Sequence, residues 1–189
     1  MANMICWVLM GVLNQDPNMV QNKKKINPFS NLNDLLQTNT GYGHLYADKL
    51  ANLIMMNGLK PKAVATVIRC LAQLKPSKYD KDRGATKFEI LENAVSNVMP
   101  YVQVRKAKVR GTSHLVPCPM SHTQMYTKAI RWLVDGARMM KKNSKSNFDT
   151  CLASVINDAY ADQGYAKAKR DELHKLAEAN RSSAYYRWW

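Results

Sequence analysis

The sequence predicts a mainly α fold, a six-helix bundle from which a two-stranded β-hairpin arm projects. Three observations lead there. Apolar residues recur every three or four positions in the segments that follow Tyr42. That period gives way, after Pro100, to two short β-compatible runs separated by Arg110-Gly111. It then returns after Met120 and persists to about Asn180.

The elements follow in order. From Met1 to about Tyr42 the chain is rich in Asn and Gln and shows no sustained period. Lys23, Lys24 and Lys25 form a short basic run ahead of Asn27-Pro28, so residues 1–42 read as an extended arm with a short helical turn at Leu32 to Leu36. Its apolar stretch, Ile5 to Leu13, has roughly nine residues against the ~20 that cross a bilayer. No Lys or Arg precedes that stretch, which therefore lacks the basic start of a secretory signal, and it is too poor in Arg and Ser for a typical mitochondrial presequence. It is expected to be buried against a neighbour. Tyr42, between Gly41 and Gly43, reads as a flexible junction without the third glycine of a dinucleotide fingerprint. The helical domain then occupies residues 43–189.

Leu45 to Asn57 reads as the first helix, with Leu50, Leu53 and Ile54 inward and Gly58 as its stop. Pro61 suits the first turn of the second, whose stripe is Val64, Val67, Ile68 and Leu71 and which ends at Lys75-Pro76. Ser77 to Gly84 reads as a charged loop. Thr86 can cap a third helix carrying Phe88, Leu91, Val95 and Val98, closed by Pro100. Tyr101 to Val109 and Thr112 to Val116 form the hairpin strands, with Pro117 and Pro119 expected to stop the second. Two strands alone are marginal in water, so the ribbon is expected to lean on the helices or on a ligand. Ser121 can cap a long fourth helix to about Lys142, with Tyr126, Ile130, Leu133, Ala137 and Met140 on its apolar side. Asn147 or Asp149 opens a fifth, with Leu152, Val155, Ile156 and Ala159 inward. A sixth runs from about Ala166 to Asn180 with Leu173, Leu176 and Ala177 inward. Trp188 and Trp189 are expected to bury against the bundle or a partner, with stacking on bases as the alternative.

The chain carries 28 Lys and Arg against 14 Asp and Glu, a formal net charge of +14 over 189 residues. Such an excess repels itself in a compact fold, so an anionic partner is the simplest explanation, nucleic acid before a membrane surface. Apolar residues make up 46%, which confines disorder to local segments. Cys6, Cys70, Cys118 and Cys151 are widely spaced with no Cys-x-x-Cys, which points to a reducing compartment rather than a disulfide framework.

Catalysis is not expected. His44, His114, His122 and His174 show no His-x-x-x-His spacing and no neighbouring cysteine pair for zinc. Ser113, Ser182 and Ser183 lack a nucleophile-elbow setting, and there is no phosphate loop. The acids are few and mostly sit on helices beside bases, as Asp171 does four residues after Lys167, and read as solvated pairs. Neither a metal nor a cofactor is called for.

The ribbon is more informative. Arg105, Lys106, Lys108 and Arg110 occur without one acid between Tyr101 and Met120. Strand alternation places Arg105 with Gln103 on one face, and Lys106, Lys108 and Arg110 with Val102 and Val104 on the other. A basic two-stranded arm suits a nucleic-acid groove. Lysines also protect exposed strand edges, but protection does not require a complete lack of acids. The further RNA-contact candidates are Lys60 and Lys62 at the start of the second helix, Lys75 and Lys78 at and beyond its end, Lys128, Arg131, Arg138 and Lys142 on the fourth, and Lys23 to Lys25 in the arm. Read alone, Lys60 and Lys62 are equally compatible with a solvated turn. The bases of the fourth helix are usually a solvated face, with Lys128 and Arg131 favoured only because they follow the ribbon, and Lys23 to Lys25 read as a disordered basic arm that orders on RNA.

At these residues the chain resembles the universal small-subunit ribosomal protein number seven family. The blocks are Pro100-Tyr101-Val102-Gln103-Val104 through Val109-Arg110-Gly111-Thr112 to Val116-Pro117, then Ala129-Ile130-Arg131-Trp132-Leu133-Val134 with Ala137-Arg138, then Lys169-Arg170-Asp171-Glu172-Leu173-His174 through Arg181, closing with Tyr185-Tyr186-Arg187-Trp188. The resemblance covers about Tyr42 to Trp189. It implies a six-helix bundle with a hairpin arm, and primary binding to the head (3′ major) domain of small-subunit ribosomal RNA, where the family nucleates head assembly. It also implies a hairpin close to exit-site transfer RNA and the messenger RNA exit channel, and contacts with neighbouring small-subunit proteins. The sequence departs from the family pattern at Arg110, where a first tip glycine is usual, at Ala107-Lys108, usually paired arginines, and at Gln124-Met125, usually a basic pair, with Lys128 appearing on the helix itself. These departures, the unfamiliar arm and Trp188-Trp189 look more like mitochondrial members than bacterial ones. The implied location is a mitochondrial ribosome, with another organelle or the bacterial cytoplasm as alternatives. A DNA-architectural protein using the basic β-ribbon is the rival reading, and a charged scaffold the third.

Overall fold

The computed structural model describes residues 42–75 and 86–189. The arm through residue 41, with Lys23, Lys24 and Lys25, and the loop carrying Lys78 lie outside the described residues. Six α-helices, one 3-10 helix and one hairpin make up the described part, in the order expected.

Helix α1 (Gly43–Ile54) buries Tyr46, Ala47, Leu50 and Ala51. Its inward face is turned from the expected one, leaving Leu53 and Ile54 half-buried at the rim. Gly43 is no flexible junction. It is a buried first residue of the helix, and a Cβ there would lie 2.6 Å from the carbonyl oxygen of Phe88. The glycine lets α1 and α3 approach closely. Asn57 and Gly58, both with positive φ, turn the chain into α2 (Lys60–Gln73), with Pro61 in its first turn. Helix α3 (Lys87–Val98) starts with a full capping box: Glu89 N–H donates to Thr86 Oγ1 at 3.3 Å, and Thr86 N–H donates to Glu89 Oε2 at 3.1 Å. Phe88, Leu91, Val95 and Val98 are all buried, as their spacing predicts.

Strands β1 (Val102–Val109) and β2 (Thr112–Pro119) pair antiparallel, with Val109 opposite Thr112. Arg110 (φ 48°) and Gly111 (φ 86°) are both left-handed, the requirement of a type I′ turn. The second strand does not stop at Pro117 but runs through Pro119. From Val109–Thr112 the pairs alternate in hydrogen bonding, which puts Pro117 (opposite Val104) and Pro119 (opposite Val102) at non-bonded positions. Their missing N–H groups would have pointed away from β1, so the ladder continues.

Helix α4 (His122–Asn143) buries Ile130, Leu133 and Ala137, while Tyr126 and Met140 are half-buried. Ser121 precedes it without a side-chain cap; its hydroxyl instead meets that of Thr123 at 3.2 Å. Helix α5 (Phe148–Tyr160) buries Leu152, Val155, Ile156 and Ala159 and packs on α2, α3, α4 and on α6 (Gly164–Ala179), which makes it the centre of the bundle. Central burial on several sides is why α5 carries so few charged residues. On α6 only part of the expected face is inward: Ala177 is buried, Leu173 half-buried and Leu176 exposed. Lys167 pairs with Asp162 rather than Asp171, which pairs with Arg170. Arg170 also donates to the carbonyl oxygen of Asn97, tying α6 to α3.

The hairpin leans on the body. Helix α6 lies against β1, and a 3-10 helix (Arg181–Tyr186) lies against β2. The N–H of Tyr101 donates to His174 Nε2 at 3.4 Å, fixing the root of β1 on α6. Trp188 and Trp189 are not buried against the bundle; Trp188 is 80% exposed.

Candidate nucleic-acid interface

The register sorts the hairpin into two faces. Gln103, Arg105 and Ala107 share one with Cys118, Val116 and His114, and there Ala107, Val116 and Cys118 are buried beneath α6 and the 3-10 helix. Arg105 stays exposed at the edge of that face, where the Gln103 amide oxygen, turned toward it, accepts from the guanidinium at 3.0 and 3.2 Å. The opposite face carries Val102, Val104, Lys106 and Lys108 with Pro119, Pro117, Leu115 and Ser113. Lys106 and Lys108 are exposed there, and Arg110 is exposed at the tip with Gly111. Lysines two apart on a strand are separated by about 6.8 Å at the backbone, less than the ~8 Å screening length at physiological salt, so their potentials add. Of the two positions where arginines were expected from the family resemblance, 107 faces inward and 108 presents its cation outward.

A second basic surface lies at the root of the ribbon. A groove of about 410 Å³ is lined by Lys49 from α1, Gln103 and Met120 from the hairpin, and Thr123, Gln124, Tyr126, Thr127, Lys128 and Arg131 from α4. Its lining contains no carboxylate. Three cations and several amide or hydroxyl donors therefore converge at the first turns of α4, whose dipole adds positive potential. Lys128 is half-buried with its ammonium 5.6 Å from the Trp132 ring centroid, and desolvation pulls its pKa below the usual lysine value. An anion replacing the lost water would stabilise the charged form. Gln124 stands where a cation was expected, and Lys128 restores one a single helical turn further on. Lys49 escaped sequence reading, because only the packing of α1 on α4 brings it to Lys128.

The remaining candidates are scattered. Lys60 is paired with Asp48 at 3.3 Å, and Arg138 with Asp135 at 3.5 Å while also donating to the Leu53 carbonyl oxygen at 3.4 Å. Exposed pairs of this kind are worth at most about 1 kcal/mol, so a phosphate can compete for Lys60. Lys62 and Lys75 are exposed at opposite ends of α2. Lys142 lies in the last turn of α4, about 21 Å along the axis from Lys128, where it complements the helix dipole. Arg105, Lys106, Lys108, Arg110, Lys128 and Arg131 have no ion-pair partner among the described residues. No group of three or more His, Cys, Asp or Glu suited to a metal occurs among them either.

The model of the family Ribosomal protein S7p/S5e matches residues 17–181, starting inside the segment set apart above as an arm. The chain is 38% identical over 142 residues to small ribosomal subunit protein uS7m of Marchantia polymorpha, covering 75% of this chain and 59% of that protein. It is 46% identical over 102 residues to uS7m of Prototheca wickerhamii, covering 54% of this chain and 46% of that protein. The chain thus spans about half the length of these two relatives. Against small ribosomal subunit protein uS7 of Nitrosococcus oceani it is 34% identical over 147 residues, 78% of this chain and 89% of that protein. With a family model matched over most of its length, and the bundle and hairpin in the order the resemblance implied, the chain belongs to the ribosomal protein S7p/S5e family.

Proposed function

We propose that the chain is a structural, non-enzymatic constituent of the small ribosomal subunit that binds the head (3′ major) domain of its RNA and nucleates head assembly. The observation that carries this is a pair of cationic surfaces with no carboxylate among their residues, the exposed Lys106, Lys108 and Arg110 of the hairpin and the groove of Lys49, Lys128 and Arg131. Lysines and arginines neutralise phosphates there and release counterions, while the rigid angle of the ribbon on α6 selects folded RNA by shape. Lys60, Lys62, Lys75, Arg138 and Lys142 extend the contact around the body, and Lys23, Lys24, Lys25 and Lys78 add to it from outside the described residues. Residues 43–189 form the RNA-binding domain and 1–42 an appended arm. The hairpin tip lies near exit-site transfer RNA and the messenger RNA exit channel, with neighbouring small-subunit proteins around it and no membrane partner. No helix among the described residues is long and apolar enough to cross a membrane. Relatives named uS7m support a mitochondrial ribosome as the location.

Competition at matched salt tests this reading. Full chain bound to a labelled head-domain RNA fragment is challenged with unlabelled fragment or with random duplex DNA. Displacement by the fragment at far lower concentration than by the duplex is expected. Equal or better displacement by duplex DNA would replace the ribosomal reading with the DNA-architectural one.

A further inference from the structure

We propose that residues Arg181–Trp189, seated on the His114 face of the hairpin, form a stacking platform for the unpaired bases of single-stranded RNA. The proposal rests on the RNA-binding reading above but concerns a different chemistry, contact with base faces rather than phosphates. Tyr185 is 90% exposed and Trp188 80% exposed. Rings of this size usually bury against a core, and a cluster of them left in solvent marks a contact surface.

These rings are held rather than loose. Tyr186 stacks on His114 of β2, with centroids 4.4 Å apart and planes inclined 21°. Tyr185 meets Tyr186 edge-on at 6.0 Å, and Trp188 meets Trp189 edge-on at 5.5 Å. The N–H of Arg187 donates to the Ala184 carbonyl oxygen, and Arg187 Nε donates to the Trp189 carbonyl oxygen at 3.3 Å. An edge-on pair leaves ring faces open, and an open, pre-positioned face costs little ordering when a base settles on it.

Charge decides between partners. Arg181 and Arg187 flank the rings, no acid lies between Arg181 and Trp189, and Arg105 shares the hairpin face of His114. A protein partner would also use Tyr, Trp and Arg, but a stretch without acids, flanked by two arginines and beside Arg105, suits a polyanion. Bases in a duplex are already stacked and offer no free face, so the ligand is single-stranded. Recognition by ring faces tolerates any base sequence.

The test compares an unstructured oligoribonucleotide with an abasic ribose-phosphate strand of equal length, which carries equal charge without bases. Full chain is expected to bind the base-bearing strand roughly 5- to 150-fold more tightly, the range for one stacked base. The double variant Tyr185→Ala/Trp188→Ala is expected to lose that preference while binding the head-domain fragment, and Tyr185→Phe/Trp188→Phe to keep it. Equal binding of both strands by the unaltered chain, or a preference that survives in the alanine variant, overturns the platform. Binding of the folded fragment without any base preference removes the platform alone, whereas failure to bind either RNA removes the reading beneath it. Loss of particle incorporation in the alanine variant without any base preference would assign these rings to a protein partner instead.

Discussion

Replacing Arg105, Lys106, Lys108 and Arg110 together by alanine gives the sharpest test of the cationic ribbon. All four side chains are exposed and none has an ion-pair partner among the described residues, so the helical body should remain intact by circular dichroism. Each phosphate neutralised contributes about −0.7 to −0.9 to the slope of log K against log salt. Four cations account for a slope of about −2.8 to −3.6, and Lys49, Lys128 and Arg131 for about −2.1 to −2.7 more. Between about 50 and 200 mM salt the ribbon's share alone corresponds to roughly 50- to 150-fold in affinity. Binding of the full chain and the variant to a head-domain RNA fragment, measured across that range, should therefore give two lines that converge as salt rises. Parallel lines would mean that these side chains touch no phosphate, and the mechanism proposed for the ribbon would be wrong.

Three further outcomes are expected. Arg110 holds φ 48° at the tip, a left-handed conformation that glycine adopts freely. Arg110→Gly should stabilise the fold by up to about 1 kcal/mol, raising Tm by about 2–4 °C while weakening RNA binding through the lost cation; an unchanged or lower Tm would show that the tip is unstrained. His174 accepts the Tyr101 N–H, and burial first, then Arg170 and Lys167 against the opposing pull of Asp171, holds its pKa below the usual histidine value. The unfolded chain then binds the extra proton more readily, so this contribution is complete above about pH 6.5 and is lost as pH falls through the lower folded value. Thermal melts from neutral pH downward should decline less steeply in His174→Gln, and equal declines would refute the link. Cys70 is buried with its thiol pushed up to about 12, chiefly by desolvation, so it should stay unmodified by a thiol reagent at neutral pH until the chain unfolds. Mass spectrometry of the native protein checks this.

Periodic elements were legible because their signal is local. Val64, Val67 and Leu71 on α2, the α3 stripe and the α5 stripe went inward, with Ile68 of the expected α2 stripe only half-buried, since residues three and four apart share one face wherever the helix packs. The tip turn was legible too, because Arg110-Gly111 between alternating strands leaves few backbone solutions. The misjudged places were those where a neighbour decides. Gly43 resembles a hinge in sequence, yet the Phe88 backbone beside it demands the missing Cβ. Pro117 and Pro119 resemble stops, yet the register turns their nitrogens away from the ladder.

The candidate site divides in the same way. The amino-acid order by itself determined the acid-free cationic ribbon, because its charges are consecutive in the chain and strand alternation assigns their faces. It also determined that the body would be helical. Only the tertiary structure decided that Lys49 joins Lys128 and Arg131 in one groove, that Lys60 and Arg138 already hold carboxylates, and that the Arg181–Trp189 aromatics lie beside His114 with their faces open. Those relations join residues far apart along the chain, where no local period carries information, and packing of whole helices sets the distances.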